Sequence, residues 1–312
     1  MYAFLVQRVF SIIPTIILGT MLIFAIVQLT PGGPAYAIAG ADATPEFIER
    51  INEDLGLNRP LPAQYLGWLS NLAQGSLGNS LISRQPVSDL IWHRLPVTAV
   101  LSAEALLLAL IIGLPLGIIA GIRSGGRLDG AIRGISGLGL ALPEFWIGIL
   151  AVSIFSLQLF WLPAIGYVPP SAGFWPHLRS VILPVATLSL GPIAVIIRFT
   201  RSAMIEALEG PYIRTAWSLG LSPFQVYFRF ALKNAMASVV TVFGIVAAVM
   251  MGGAVLIESL FAIPGLGQLM VNAVLTKDFP VVQGVAVALL VIVLTINFLV
   301  DVFVATIDPR TR

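Results

Sequence analysis

Six stretches of this chain are apolar for long enough to cross a lipid bilayer, and that repetition constrains the fold more than any other feature. They are Val9–Leu29, Thr98–Gly121, Gly134–Phe160, Val181–Ile197, Ser238–Leu260 and Val281–Val304. A hydrocarbon core about 30 Å thick needs roughly 20 apolar residues as helix. Inside it, only helices and closed barrels satisfy their own backbone polar groups. Composition agrees: 58% of the 312 residues are apolar and 10% charged, with a mean hydropathy of +0.96. That leaves too little polar surface to clothe a globule in water. The expected fold is an all-α integral membrane protein with six transmembrane helices.

The first run is about 21 residues long, well beyond the ~7–15 of a secretory signal, so it is expected to stay as a helix despite the nearby Ala35-Tyr36-Ala37. Pro115, Pro143, Pro184 and Pro192 fall in later runs and should bend them, because proline frees a carbonyl one turn back. The loops carry an asymmetric charge. One set holds eleven of the seventeen Lys/Arg residues over about 68 positions, and the other holds six over about 108. By the positive-inside rule both termini are cytoplasmic. The chain thus divides into an N-terminal helix (1–29), an extracytoplasmic helical subdomain (30–97), a five-helix core (98–304) and a cytoplasmic tail (305–312).

In the subdomain, Thr44-Pro45 reads as N-cap and first helical residue with Gly56 as the stop, and 62–74 reads as a second amphipathic helix ended by Gly75. The cytoplasmic stretch 198–237 is more telling. Helix is expected over Ile205–Leu219 with a break at Gly210-Pro211, and again over Phe224–Met236. Gly220-Leu221-Ser222-Pro223 forms the stop, the turn and the new cap between them. Such a helix–turn–helix suits docking into another protein's groove, and equally an amphipathic loop lying on anionic headgroups.

Chemistry is narrowly bounded. With no cysteine there is no disulfide, thiolate nucleophile or Cys-held metal, and the two histidines, His93 and His177, fall outside the apolar runs. No catalytic or metal-binding set assembles, and neither lysine follows a glycine, so the GxxxxGK[ST] phosphate loop is missing. Intramembrane carboxylates default to functional hypotheses. Of Glu104, Glu144, Glu258 and Asp301, the last two lie near span ends and are expected to snorkel or cap, and Glu104 lies about six residues in. Glu144 comes about ten residues into the third run, roughly 15 Å deep, directly after Pro143. It should face a wet cavity, where it could meet a substrate's amino group, or else pair with an arginine.

From Arg198 to Asp308 the chain resembles the permease subunits of peptide/nickel-type ABC importers, specifically the first of their two membrane subunits. The run Tyr212-Ile213-Arg214-Thr215-Ala216-Trp217-Ser218-Leu219-Gly220-Leu221-Ser222 is similar to the family's coupling-loop motif. Gly252-Gly253-Ala254 with Glu258, Pro264-Gly265-Leu266-Gly267, and Asp278-Phe279-Pro280-Val281-Val282-Gln283 also match. So do Asp308-Pro309-Arg310, and in the first half Pro31-Gly32-Gly33-Pro34 and Gly75-Ser76-Leu77-Gly78-Asn79-Ser80. The chain departs from the pattern at Gly210-Pro211, where an acidic pair is usual, and at Trp217, Leu219 and Ser238. Those changes suggest a more apolar docking contact.

The resemblance implies a type I permease fold in the bacterial inner membrane and a partner set. That set is a second, related permease subunit, one or two P-loop ATPases that carry the ATP and magnesium, and an extracytoplasmic substrate-binding protein. No nucleic acid and no cofactor in this chain are implied. Tyr212, Arg214, Thr215, Ala216, Gly220, Leu221 and Ser222 would couple to the ATPases. Glu144, Pro143 and Glu258 are candidates for the translocation pathway. Peptide is the expected substrate, with a nickel chelate, glutathione or another small solute as the alternative within the class. An ion-coupled secondary transporter is the rival outside it. It would show inverted repeats and several midplane carboxylates.

Overall fold

The computed structural model describes residues 2–30, 35, 44–54 and 58–307. Among these residues the regular structure is helical, without strands; one isolated bridge pairs Asn79 with Pro86. In order the helices are α1 (Tyr2–Leu29), α2 (Pro45–Asp54), α3 (Leu61–Ala73), α4 (Val87–Ile122), α5 (Arg127–Ala141), α6 (Glu144–Ala151), α7 (Phe174–Glu209), α8 (Pro211–Ser218), α9 (Leu232–Leu260), α10 (Leu266–Leu275) and α11 (Phe279–Ile307). Among the described residues five helices are long and apolar enough to cross a membrane, and the count rises to six if the bent pair α5–α6 forms one broken span.

That bent pair departs from a simple span. α5 and α6 meet at 95°, and the break lies at Leu142-Pro143. Leu142 is extended, with φ −92° and ψ 131°, as the residue before a proline tends to be. Glu144 therefore opens a new helix rather than continuing one, and the depth of 15 Å that a straight helix implies does not apply. A π-helical turn, Val152–Gln158, continues α6. By contrast, Pro184 and Pro192 leave α7 one continuous helix of 36 residues.

The chain falls into two compact units, one built chiefly on Ala99–Ile263 and the other on Val6–Thr98 with Pro264–Ile292. The second unit differs from the sequence-based division, because 264–292 joins the subdomain side. Its core explains this: Val87 and Ile91 pack with Leu266, Ala273, Val281 and Val285, all buried. Asp278, 4% exposed, accepts hydrogen bonds from Ser80 Oγ at 2.5 Å and from the Leu81 amide at 3.1 Å. Here the Gly75–Ser80 and Asp278–Gln283 motifs meet. The Phe47 amide reaches Thr44 Oγ1 at 3.4 Å at the start of α2, and Gly75, at φ +80°, follows α3. The expected stop at Gly56, the Ala35–Ala37 neighbourhood, Pro31–Pro34 and the 308–310 motif lie wholly or mostly outside the described residues.

In the first unit, α4 lies against α7 along a glycine stripe. A Cβ on Gly113, Gly117 or Gly121 would come within 3.0 Å of Ile196, 2.6 Å of Thr200 and 2.5 Å of Met204 respectively. Small residues spaced by four let two backbones approach closely, the usual way membrane helices pack without a hydrophobic driving force.

Candidate functional site

The coupling segment is built by local rules. Gly220 has φ +72°, a left-handed conformation that glycine adopts without steric cost. The Leu221 amide donates to the Ala216 carbonyl at 3.3 Å and the Gly220 amide to that of Trp217 at 3.0 Å. This is a Schellman ending, in which glycine follows the helix and two orphan carbonyls are satisfied. Ser222 and Gln225 then open the next helix as a reciprocal capping box. The Ser222 amide donates to Gln225 Oε1 at 3.0 Å and the Gln225 amide to Ser222 Oγ at 3.4 Å. The expected Phe224–Met236 helix begins with a π-helical stretch, Gln225–Ala231, and runs on without a break into α9.

The named residues divide by role. Ala216 is buried with Ile213 against Ile118, Met204, Ala207, Val226 and Ala235, and Leu221 packs on the same cluster. Ala216 therefore fixes the turn to the bundle. Tyr212, Arg214, Thr215, Gly220 and Ser222 are exposed. The Tyr212 hydroxyl donates to the Ala207 carbonyl at 2.9 Å, and burial pushes the phenol above its ordinary range. Three exposed apolar residues outside the sequence-based set complete the tip: Trp217, Leu219 and Phe224, the last two 73% and 70% exposed. The departures from the motif at 217 and 219 were the signal for them.

The first unit also holds a buried ion pair. Asp129, fully buried, accepts from Arg201 Nε at 2.6 Å and Nη2 at 2.9 Å, and from the Gly125 amide at 2.9 Å. Arg133 stands 3.5 Å away. The fork ties the first turn of α5 to the C-terminal half of α7. Elsewhere His177 is buried, its Nε2 2.6 Å from Glu104 Oε1 and its Nδ1 2.6 Å from the Val168 carbonyl. The two groups, 73 residues apart in sequence, were not expected to meet.

Glu144 faces a cavity of about 270 Å³ lined by Leu188, Gly191, Pro192, Val195, Val249 and Gly253, among other residues. Each carboxylate oxygen rests over a glycine. A Cβ on Gly191 would come within 2.5 Å of Oε1, and one on Gly253 within 3.1 Å of Oε2. Pro143 is the N-cap that turns α6 and so aims Glu144. Glu258 is a correction to the sequence reading: it does not snorkel, but is fully buried near the end of α9, where its carbonyl accepts from the Ile263 amide at 2.8 Å. It is not among the residues lining the Glu144 cavity.

Long apolar helices, a rigid exposed tip and a carboxylate-bearing cavity define a membrane-embedded transport subunit. Residues 113–312 match the family described as the binding-protein-dependent transport system inner membrane component, and residues 1–102 match its N-terminal membrane component. The chain belongs to this family of multi-pass inner-membrane permease components of ABC importers, which are not themselves catalytic. Similar proteins include one of Brucella abortus, provisionally named a peptide transport system permease, which is 42% identical over 100% of this chain and 99% of its own. The di/tripeptide transport system permease of Pseudomonas aeruginosa is 37% identical over 100% and 99%. The glutathione transport system permease of Escherichia coli is likewise 37% identical over 100% and 99%. Among solved structures, the inward-facing MetNI methionine ABC transporter matches with a TM-score of 0.60 at 18% identity, over 70% of this chain and 96% of that one, which supports the fold.

Proposed function

We propose that this chain is one of two related permease subunits of an ATP-driven importer of di- and oligopeptides. The observation that carries the coupling role is the Schellman-ended turn at Gly220. It presents a stiff apolar tip of Trp217, Leu219 and Phe224, with Tyr212, Arg214, Thr215 and Ser222 around it. A tip of this kind fits a cleft in an ATPase subunit better than a headgroup layer. Its backbone is rigidly specified, and its base, Ala216 with Leu221, is packed into the bundle. Closure of the ATPases would push the tip as a rigid body.

With both termini and this tip in the cytoplasm, a binding protein would deliver substrate from the opposite face. Glu144 and Pro143 would line this subunit's half of the pathway, with Glu258 as a buried strut behind it. Peptide is favoured because relatives covering the whole chain are named for peptide and di/tripeptide transport. The relative named for glutathione carries what is itself a tripeptide. Gentle purification of tagged chain from native membranes, with mass spectrometry of stoichiometric partners, tests the proposal. A second six-span subunit with one or two P-loop ATPases is the expected result. Isolation of this chain alone, still transporting, would overturn it in favour of an ion-coupled carrier.

A further inference from the structure

We infer that the Glu144 cavity is a binding site for a primary ammonium group, and that it recognises the free N-terminus of a peptide in transit. This deepens the reading of Glu144 as a pathway residue and rests on it.

The first observation is a carboxylate without a counter-ion. Glu144 makes no hydrogen bond or ion pair with any described residue, yet it is half-buried among apolar groups. The remaining lining residues are Leu188, Gly191, Pro192, Val195, Ile245, Val246, Val249, Met250 and Gly253, none with a polar side chain. An anion so placed strongly favours a cation entering beside it, because little competing water or dipole surrounds it. The anion has support of its own, since Glu144 is the first residue of α6 and the positive end of that helix dipole favours negative charge.

The second observation is that the pocket is shaped for the carboxylate. Two glycines from two different helices, Gly191 on α7 and Gly253 on α9, make room for its two oxygens. A carboxylate with no role beyond surface solvation needs no such seat.

The third is a matching acceptor. Pro192 has no N–H to offer the Leu188 carbonyl one turn before it, and both residues line the cavity. An ammonium group has three donors. Two carboxylate oxygens supply two acceptors, and we assign the third to the Leu188 carbonyl that Pro192 frees. A hard metal cation wants six or more oxygens and is not matched. A volume of about 270 Å³ holds on the order of nine waters at ~30 Å³ each, enough for an aminoacyl end and not for a whole oligopeptide.

The test uses the natural absence of cysteine from the chain. Val195→Cys, and separately Val249→Cys, are introduced into the assembled importer in lipid nanodiscs. Each is reacted with cationic ethylammonium and anionic ethylsulfonate methanethiosulfonates, with and without nucleotide. The cationic reagent should react at least tenfold faster in one nucleotide state, and Glu144→Gln should reduce that ratio by about tenfold, as removal of one charge at close range implies. Propylamine and Ala-Ala should slow the modification, while propanol and N-acetyl-Ala-Ala should not. Equal rates, a ratio untouched by Glu144→Gln, or no reaction at either position in any state would each overturn the inference. Failure of the peptide reading shows differently: propylamine still protects, but the reconstituted importer takes up no peptide.

Discussion

The Asp129–Arg201 fork offers the most quantitative test of how α5 is tied to α7. Arg201→Gln removes two charge-assisted bonds, at 2.6 and 2.9 Å, from a carboxylate that is fully buried. Such bonds contribute about 1.5–3 kcal/mol each, and breaking a buried pair costs about 3–5 kcal/mol. Arg133, 3.5 Å away, and the Gly125 amide remain to compensate, so about 3 kcal/mol is expected. Asp129→Asn should cost less, about 2 kcal/mol, because the Arg201 side chain is 20% exposed and its freed guanidinium can reach water. If the two groups act mainly on each other, the double variant should cost about 3 kcal/mol rather than the sum of 5, a coupling of about 2 kcal/mol. Reversible unfolding in mixed micelles, followed by circular dichroism, supplies the cycle. Additivity within about 0.5 kcal/mol would refute the argument, since it would mean that Arg201 and Asp129 contribute through other neighbours.

Three further outcomes are expected. Gly220→Trp should insert and fold, because nothing lies within 4 Å of a Cβ there, but should abolish substrate-stimulated ATP hydrolysis; Gly220→Ala should cost only about 1 kcal/mol for its left-handed backbone and keep stimulation. Gly191→Ala should reduce peptide uptake at least tenfold by displacing the Glu144 carboxylate, whereas Gly252→Ala, where a Cβ has open space, should leave uptake unchanged in the same vesicle assay. Asp278→Ala should release Ser80 and the Leu81 amide, costing about 2 kcal/mol, and limited proteolysis should then cleave near 75–86 faster than in the parent chain.

What the sequence revealed follows the range of the forces involved. The apolar runs were legible because a bilayer demands about 20 such residues in a row. The coupling turn was legible because Gly220, Ser222 and Pro223 act within a few residues of one another; the Gln225 half of the capping box was not. Pro143 announced a break, but not a 95° one, since local chemistry fixes only the backbone angles at the hinge and packing sets where the next helix goes. Pro184 and Pro192 do not end α7, which stays one continuous helix through both. The glycine stripe of α4 lies along 193–204 and packs the segment after Pro192 closely. Asp129 with Arg201, Glu104 with His177, and Ser80 with Asp278 are 72, 73 and 198 residues apart, and no local pattern encodes such partners. Gly253 belonged to a recognised motif, yet its purpose appeared only when Glu144 was found resting on it.

These features converge on one helix. Gly191 and Pro192 place the cavity wall near the middle of α7. Arg201 lies ten residues further on, about 15 Å along the axis, and α8 begins just past the end of α7. Between Ile193 and Met204, α7 is held at backbone distance against α4 by Gly113, Gly117 and Gly121, and at Arg201 it is forked to Asp129 in the first turn of α5. Its C-terminal half is therefore bound to two neighbours. The first place along α7 where a hydrogen bond is missing above that clamped section is Leu188–Pro192, which is also the wall of the Glu144 cavity. In the coupling mechanism proposed above, a push delivered at Gly220 would reach this turn through the clamped section of α7. The backbone hydrogen bond missing from α7 and the Glu144 carboxylate of α6 thus line the same cavity, which is where a transporter would need a change in affinity to occur.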